Sequence, residues 1–211
     1  KYGKEYPRLT ELSSFESIAV TRVVNNNAKL YANKAEGFVG INLKKEDNAE
    51  FVCDCSDLSE IIVIRKDGKY LVTKVSEKAF FGKDILYVGL FDRNDQRTTY
   101  NVIYREGKTS ISYAKRFNVT SVTRDKEYDI TQGTPGSVIL WFTVNHNAEA
   151  ETVKIYYRQR PKLKKLIDEY DFSQLLIKGR ASRGNLVSKN SIQKILLQSK
   201  GISTIGGKDI W

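Results

Sequence analysis

EIIVIRKDGKYLVTKVSEKAFFGKD, residues 60–84, decides how the rest of the chain is read. Ile61-Ile62-Val63-Ile64 is a run of four β-branched residues, the composition of a strand. Asp67-Gly68 follows as a two-residue turn in which both positions accept φ > 0. Lys69 to Val75 runs back as a second strand, Lys74 and Lys78 mark its end, and Gly82 follows. The stretch predicts a β-hairpin with a basic exit.

Four other stretches repeat this pattern. Residues 29–45, KLYANKAEGFVGINLKK, turn at Glu36-Gly37 and leave through Lys44 and Lys45. Residues 99–117 turn at Glu106-Gly107 and leave through Lys115 and Arg116. Residues 137–160 turn more widely through Asn145-His146-Asn147 and leave through Arg158 and Arg160. Residues 174–194 turn at Arg183-Gly184, carry Arg180 just before, and leave through Lys189 and Lys194. The intervals between turns approach the roughly 40-residue period of a propeller blade. Weaker strands are expected at 50–53, 85–91 and 118–122, with Phe15–Val24 as a first strand. The segment LKKLIDEY, 163–170, reads as a strand or a short helix. The fold expected is all-β, a propeller-like ring of about five hairpin blades, because radial repetition leaves few exposed sheet edges. A pair of β-sandwiches or barrels is the competing architecture.

The 211 residues suffice for one sizeable core or two small ones. At 40% hydrophobic and 28% charged, the composition is that of a globular domain. No run of eighteen apolar residues offers a membrane-spanning helix. The chain opens on Lys1 and holds no Met, which makes a fragment of a longer protein the expectation. Thirty-five Lys and Arg against 25 Asp and Glu give a net charge of +10, which points to a polyanionic partner.

The residues for catalysis do not assemble. The single His146 sits in an Asn-rich turn, and Cys53 and Cys55, two apart on one strand face, have neither disulfide geometry nor zinc spacing. A reduced, intracellular pair is expected. There is no nucleotide-binding glycine loop, and Glu149 and Glu151 read as a solvated strand face. The repeated basic exits remain. Singly, each is an ordinary solvated strand end. At equivalent positions of a ring they would form a positive track that binds phosphates without reading sequence.

Several stretches carry a resemblance: YGKEYPRLTEL at the start, EGFVGINLKK, KRFNVTSVTRDKEYDITQG, DFSQLLIKGRASRGNLVSK and GISTIGGKDIW. Together they resemble the C-terminal domain of the A subunit of bacterial type IIA DNA topoisomerases, closer to topoisomerase IV than to gyrase, over essentially the whole chain. The resemblance implies a β-pinwheel whose basic rim binds and bends double-stranded DNA without sequence specificity. It makes residues 1–14 the linker from the catalytic core and 15–211 the DNA-binding domain. It places the cleaving tyrosine, the magnesium site and ATP elsewhere in the enzyme, leaving no catalysis and no cofactor here. The partner it implies is a B-type ATPase subunit, and the location is the bacterial cytoplasm and nucleoid. Gyrase relatives carry a Q-R-R-G-G-K-G box. Here Thr204-Ile205 precede Gly206-Gly207-Lys208, so both arginines are missing and Lys208 is the one cation kept. This departure favours decatenation and relaxation over gyrase-type wrapping. A gyrase-type wrapping domain and a protein-binding propeller are the alternatives.

Overall fold

The four β-branched residues at 61–64 lie in β4 (Glu60–Arg65), which is hydrogen-bonded on one side to β5 (Lys69–Lys74) and on the other to β7 (Ile85–Leu90). A computed structural model describes residues 27–43, 48–161 and 163–205. In it, Ile62 and Ile64 enter one core while Ile61 and Val63 enter another on the opposite face. Side chains alternate between faces along a strand. An unbroken apolar run is therefore what a strand buried on both faces requires. All four are 1% exposed or less, so each contributes about 1.5–3 kcal/mol of transfer free energy.

Four sheets form among the described residues. The first has the order β3-β1-β2-β6, from β1 (Ala28–Asn33), β2 (Phe38–Gly40), β3 (Glu50–Cys55) and β6 (Ala79–Phe80). The second adds β10 (Glu127–Asp129) in the order β10-β5-β4-β7. The third joins β11 (Val138–Asn145), β8 (Thr99–Arg105) and β9 (Ser112–Asn118). Its far edge is shared by β14 (Ile177–Gly179) and β15 (Asn185–Ser188), which both pair with β9. The fourth runs β13-β12-β16, from β12 (Thr152–Tyr157), β13 (Ile167–Asp171) and β16 (Ile192–Ser199).

One rule generates this topology. A hairpin forms, the chain steps back to add a short strand to the preceding sheet, then returns to flank its own hairpin. After β4-β5, β6 joins β2 and β7 returns to β4. After β8-β9, β10 joins β5 and β11 returns to β8. After β12-β13, β14 and β15 join β9 and β16 returns to β12. Successive sheets pack face to face through three apolar cores. The exchange brings hairpin turns against the chain of the next unit. A Cβ on Gly37, at φ +85°, would stand 2.1 Å from the Gly82 carbonyl oxygen. A Cβ on Gly68, at φ +88°, would stand 2.4 Å from the Thr131 side-chain methyl.

The all-β expectation holds, with a single 3-10 turn at Phe172–Gln174 as the helical element of the described residues. Hairpins form at Gly37, Gly68 and Gly107 as expected. The last two expected hairpins are corrected. β11 and β12 do not pair: β11 closes the third sheet and β12 opens the fourth. The fourth hairpin is β12-β13, so the ambiguous LKKLIDEY ends in a strand. Residues 174–194 are likewise no hairpin, because β14 and β15 both bond to β9. Gly184 is not at a tight turn. It lies where a Cβ would approach the Ala114 carbonyl oxygen at 2.8 Å. The expected linker at 1–14 and first strand at 15–24 lie outside the described residues.

Candidate nucleic-acid interface

The expected exit residues separate into groups once placed. Lys44, Lys45 and Lys208 lie outside the described residues. Lys74, Arg158, Arg160 and Lys189 are exposed at strand ends or in connections. Lys78, Arg180, Arg183 and Lys194 each lie over an aromatic ring.

Lys115 and Arg116 are a correction: they are 2% and 1% exposed and form no surface exit. β9 runs on to Asn118, bordered by β8 on one edge and by β14 and β15 on the other, so both residues sit inside a sheet. Arg116 faces the third core, where Nε donates to Asn101 Oδ1 at 3.0 Å and Nη2 donates to the carbonyls of Ala148 and Glu149. Lys115 faces the other way, and its Nζ donates to the carbonyls of Arg180 and Ser182 at 2.7 and 3.1 Å. Burial pushes its pKa down to about 8.

Above Lys115 runs the connection 179–184 between β14 and β15. It carries the two best-placed cations. The Arg180 guanidinium carbon is 4.1 Å from the Tyr128 ring centre, and Nη1 donates to the carbonyls of Thr120 and Ser121. The Arg183 guanidinium is 4.7 Å from the Tyr113 ring centre and donates to its hydroxyl at 2.6 Å. Tyr128 is on β10 of the second sheet and Tyr113 on β9 of the third, so one short connection spans two sheets. Lys126 Nζ also stands 5.6 Å from the Tyr128 ring centre. Lys78 over Phe38 and Lys194 over Tyr156 give the first and fourth sheets a cation on an aromatic as well.

A cation over a ring is ordered without being neutralised. Ion pairs do the opposite. In the second sheet Arg65 and Lys69 share Glu127, and Arg93 and Arg124 share Glu60. The Glu60 carboxylate lies below its usual pKa chiefly because Arg93 donates to it. No ion pair among the described residues engages Arg180, Arg183 or Lys194. The charge balance agrees. Residues 152–200 hold twelve Lys and Arg against three Asp and Glu, while the rest of the chain holds 23 against 22. Nearly all the excess charge is therefore in the last quarter, a signal that the whole-chain value of +10 averages away.

Among the described residues no group of three or more His, Cys, Asp or Glu could hold a metal ion. Cys53 and Cys55 are free thiols whose pKa values burial raises, which lowers their reactivity. A cleft of about 520 Å³ opens between the second and third sheets, near Glu60, Asp95 and His146. Its carboxylates are already bonded by Arg93, Arg124 and Thr98, which leaves them poorly suited to acid–base chemistry.

The chain is 27% identical over 196 residues to the A subunit of DNA topoisomerase 4 from Borreliella burgdorferi, a match covering 92% of this chain and 29% of that protein. It thus spans less than a third of the length of that relative. A crystal structure of the C-terminal domain of DNA topoisomerase IV superposes with a TM-score of 0.47 at 12% identity, over 82% of this chain and 62% of that one. The family model for the topoisomerase C-terminal domain of Bacteroidota matches residues 29–200, from the first described strand to just past the last. That match covers every sheet described above, and the chain belongs to the topoisomerase C-terminal domain family.

Proposed function

We propose that this chain is a non-catalytic domain that binds and bends duplex DNA in a topoisomerase IV-type A subunit. It presents DNA to the strand-passage core for decatenation and relaxation. The observation that carries the reading is the set of cations laid on aromatic rings of successive sheets, above all Arg180 and Arg183, which hydrogen bonds to Thr120, Ser121 and Tyr113 also hold. Guanidinium groups held over rings are pre-arranged for phosphate oxygens, and they read no bases. Bending follows if phosphates are gripped on successive sheets, since the contacts offset the elastic cost of the bend. The B-type ATPase subunit, ATP and magnesium belong to the rest of the enzyme, which works in the bacterial cytoplasm on the nucleoid.

Gyrase-type wrapping is the less favoured reading. Thr204, where gyrase relatives carry an arginine, is exposed but tied back to the fold, with N and Oγ1 both donating to the Ala148 carbonyl. Gly206, Gly207 and Lys208 lie outside the described residues. The test of binding is fluorescence anisotropy of a labelled duplex titrated with the chain at several salt concentrations. Affinity should fall steeply with salt, with a log–log slope of about −0.9 per phosphate contacted, and should not depend on sequence. A salt-insensitive affinity would favour a protein-binding role instead. Sealing nicked circular DNA on the bound protein should leave little change in linking number. The change should grow when Thr204 and Ile205 are both replaced by arginine.

A further inference from the structure

We propose that Lys115 is the positioning residue of the DNA-contacting connection 179–184: its buried ammonium, clamped under the backbone, holds Arg180 and Arg183 in place. The inference rests on the DNA-binding reading above and adds to it a residue that never touches DNA.

Three consecutive carbonyls of the connection are bonded by side chains from elsewhere in the fold. Lys115 Nζ donates to those of Arg180 and Ser182, and Gln132 Nε2 donates to that of Ala181 at 3.1 Å. At the far end, the Gly184 amide donates to the Tyr104 hydroxyl at 3.3 Å. The connection is thus tied to β9, to β8 and to the segment following β10. The two arginines leave this backbone in different directions, to Tyr128 and to Tyr113. Lys115 alone bonds the backbone on both sides of Ala181, between the two arginines. Ammonium-to-carbonyl bonds are charge-assisted and stronger than neutral ones.

A structural lysine would ordinarily find a carboxylate. Among the described residues none bonds Lys115, and the Phe117 ring lies 5.0 Å from its Nζ. A buried charge without a counter-ion is costly. A DNA phosphate at Arg180 or Arg183 would supply the missing negative charge nearby. The grip and the binding are then coupled: DNA favours protonated Lys115, and protonated Lys115 favours the DNA-ready connection. Burial already brings the amine to about pKa 8, so the coupling falls within an accessible pH range. The other groups around this site are Arg180 and Arg183 on the connection, Tyr113 on β9, Tyr104 on β8, Tyr70 on β5 and Tyr128 on β10. Burial raises the Tyr70 hydroxyl to about 12 and raises Tyr104, while the hydrogen bond from Thr123 lowers Tyr128. Tyr128 is therefore the second group to control for, by Tyr128→Phe.

The test uses the chain with Lys115→Met, which keeps the length and removes the charge, and with Arg180→Ala/Arg183→Ala. Two readouts are needed. The first is duplex affinity at pH 7 and pH 9. Lys115→Met should bind about tenfold more weakly at pH 7, the effect of one charge-assisted hydrogen bond. It should add little to the loss caused by the double arginine variant. The wild-type affinity should fall between pH 7 and 9 more than that of Lys115→Met, and Tyr128→Phe should keep the wild-type ratio of affinities at the two pH values, whatever its affinity at pH 7. The second is trypsin cleavage after Arg180 and Arg183 relative to cleavage after exposed Arg158. This ratio should rise in Lys115→Met and, in the wild type, on going to pH 9. It reads the position of the connection even if a variant folds poorly, because the wild type alone supplies the pH comparison. Wild-type affinity and an unchanged cleavage ratio in Lys115→Met would overturn the proposal, as would losses fully additive with those of the arginines. If the double arginine variant binds DNA as the wild type does, the DNA role of the connection falls, whatever trypsin reports about Lys115.

Discussion

Arg124 and Arg183 are both exposed arginines held by one neighbour, and they leave the surface in opposite electrostatic states. Arg124 joins Arg93 on the Glu60 carboxylate, so much of its charge is cancelled where it stands. Arg183 lies on the Tyr113 ring, which orders the guanidinium and leaves its charge for a partner. A basic residue after a strand is thus not a unit of DNA affinity. What holds it decides whether it acts toward solvent or toward the fold. Arg116 is the extreme case, with its guanidinium engaged entirely inside.

The largest expected effect follows from that extreme. Arg116→Ala leaves Asn101 Oδ1 and the carbonyls of Ala148 and Glu149 short of a donor and opens a cavity between the third and fourth sheets. The cost should be about 3 kcal/mol or more, read as a lower urea midpoint. The protein that still folds should bind duplex with an unchanged salt slope. A loss below about 1 kcal/mol, with a reduced slope, would return Arg116 to the surface.

The direct comparison comes next. Arg180→Ala/Arg183→Ala should weaken duplex binding by about ten- to a hundredfold and reduce the salt slope by nearly two. Arg93→Ala/Arg124→Ala removes the same nominal charge and should change affinity about twofold at most, because both guanidiniums are turned onto Glu60 and make no phosphate contact. Equal losses in the two variants would mean that net charge alone matters.

The arginine pair on Glu60 should instead show itself as stability. The folded Glu60 carboxyl lies below its ordinary value of 4.5, so the unfolded chain binds the proton more readily. Its contribution is fully present above pH 4.5 and is lost as pH falls through the lower folded value. The gap in melting temperature between wild type and Arg93→Ala/Arg124→Ala should be constant near neutrality and shrink in acid. A gap that widens in acid would contradict the pairing.

How far these distinctions could be read in advance depends on how local their causes are. Gly37, Gly68 and Gly107 mark hairpins closed by adjacent residues, and their turns are legible in the sequence. The step-back strands are not. β6 is two residues long and its partner β2 lies about forty residues earlier, so neither periodicity nor propensity points to the pairing. This exchange made β11 and β12 look like one hairpin, although they belong to different sheets. At 115–116, two adjacent cations resemble the end of a strand. Their inward turn depends on Asn101, on the carbonyls of 148–149 and on those of Arg180 and Ser182, all distant in the chain. The cation-on-ring pairs are hidden for the same reason, since Arg180 and Tyr128 meet only because β10 and β14 both leave their own units. The excess of charge in residues 152–200 is legible in the sequence, although the whole-chain value of +10 hides where it lies.

The smallest expected effect tests the same comparison at a single acceptor. The Ala148 carbonyl receives Arg116 Nη2 at 2.8 Å, the Thr204 amide at 3.1 Å and Thr204 Oγ1 at 3.0 Å. One oxygen therefore takes a buried cation, a backbone amide and the hydroxyl of an exposed residue. Thr204→Val removes only the hydroxyl and preserves shape, leaving the carbonyl two donors. No buried group is orphaned, so the cost should be about 0.5–1 kcal/mol, several times less than for Arg116→Ala. In the double variant the two costs should not add, because they share an acceptor. With the guanidinium gone, the Thr204 hydroxyl becomes one of the last donors to that oxygen, and its removal should cost more than in the wild type. A Thr204→Val penalty equal in both backgrounds would show that the hydroxyl and the guanidinium are not coupled through this carbonyl.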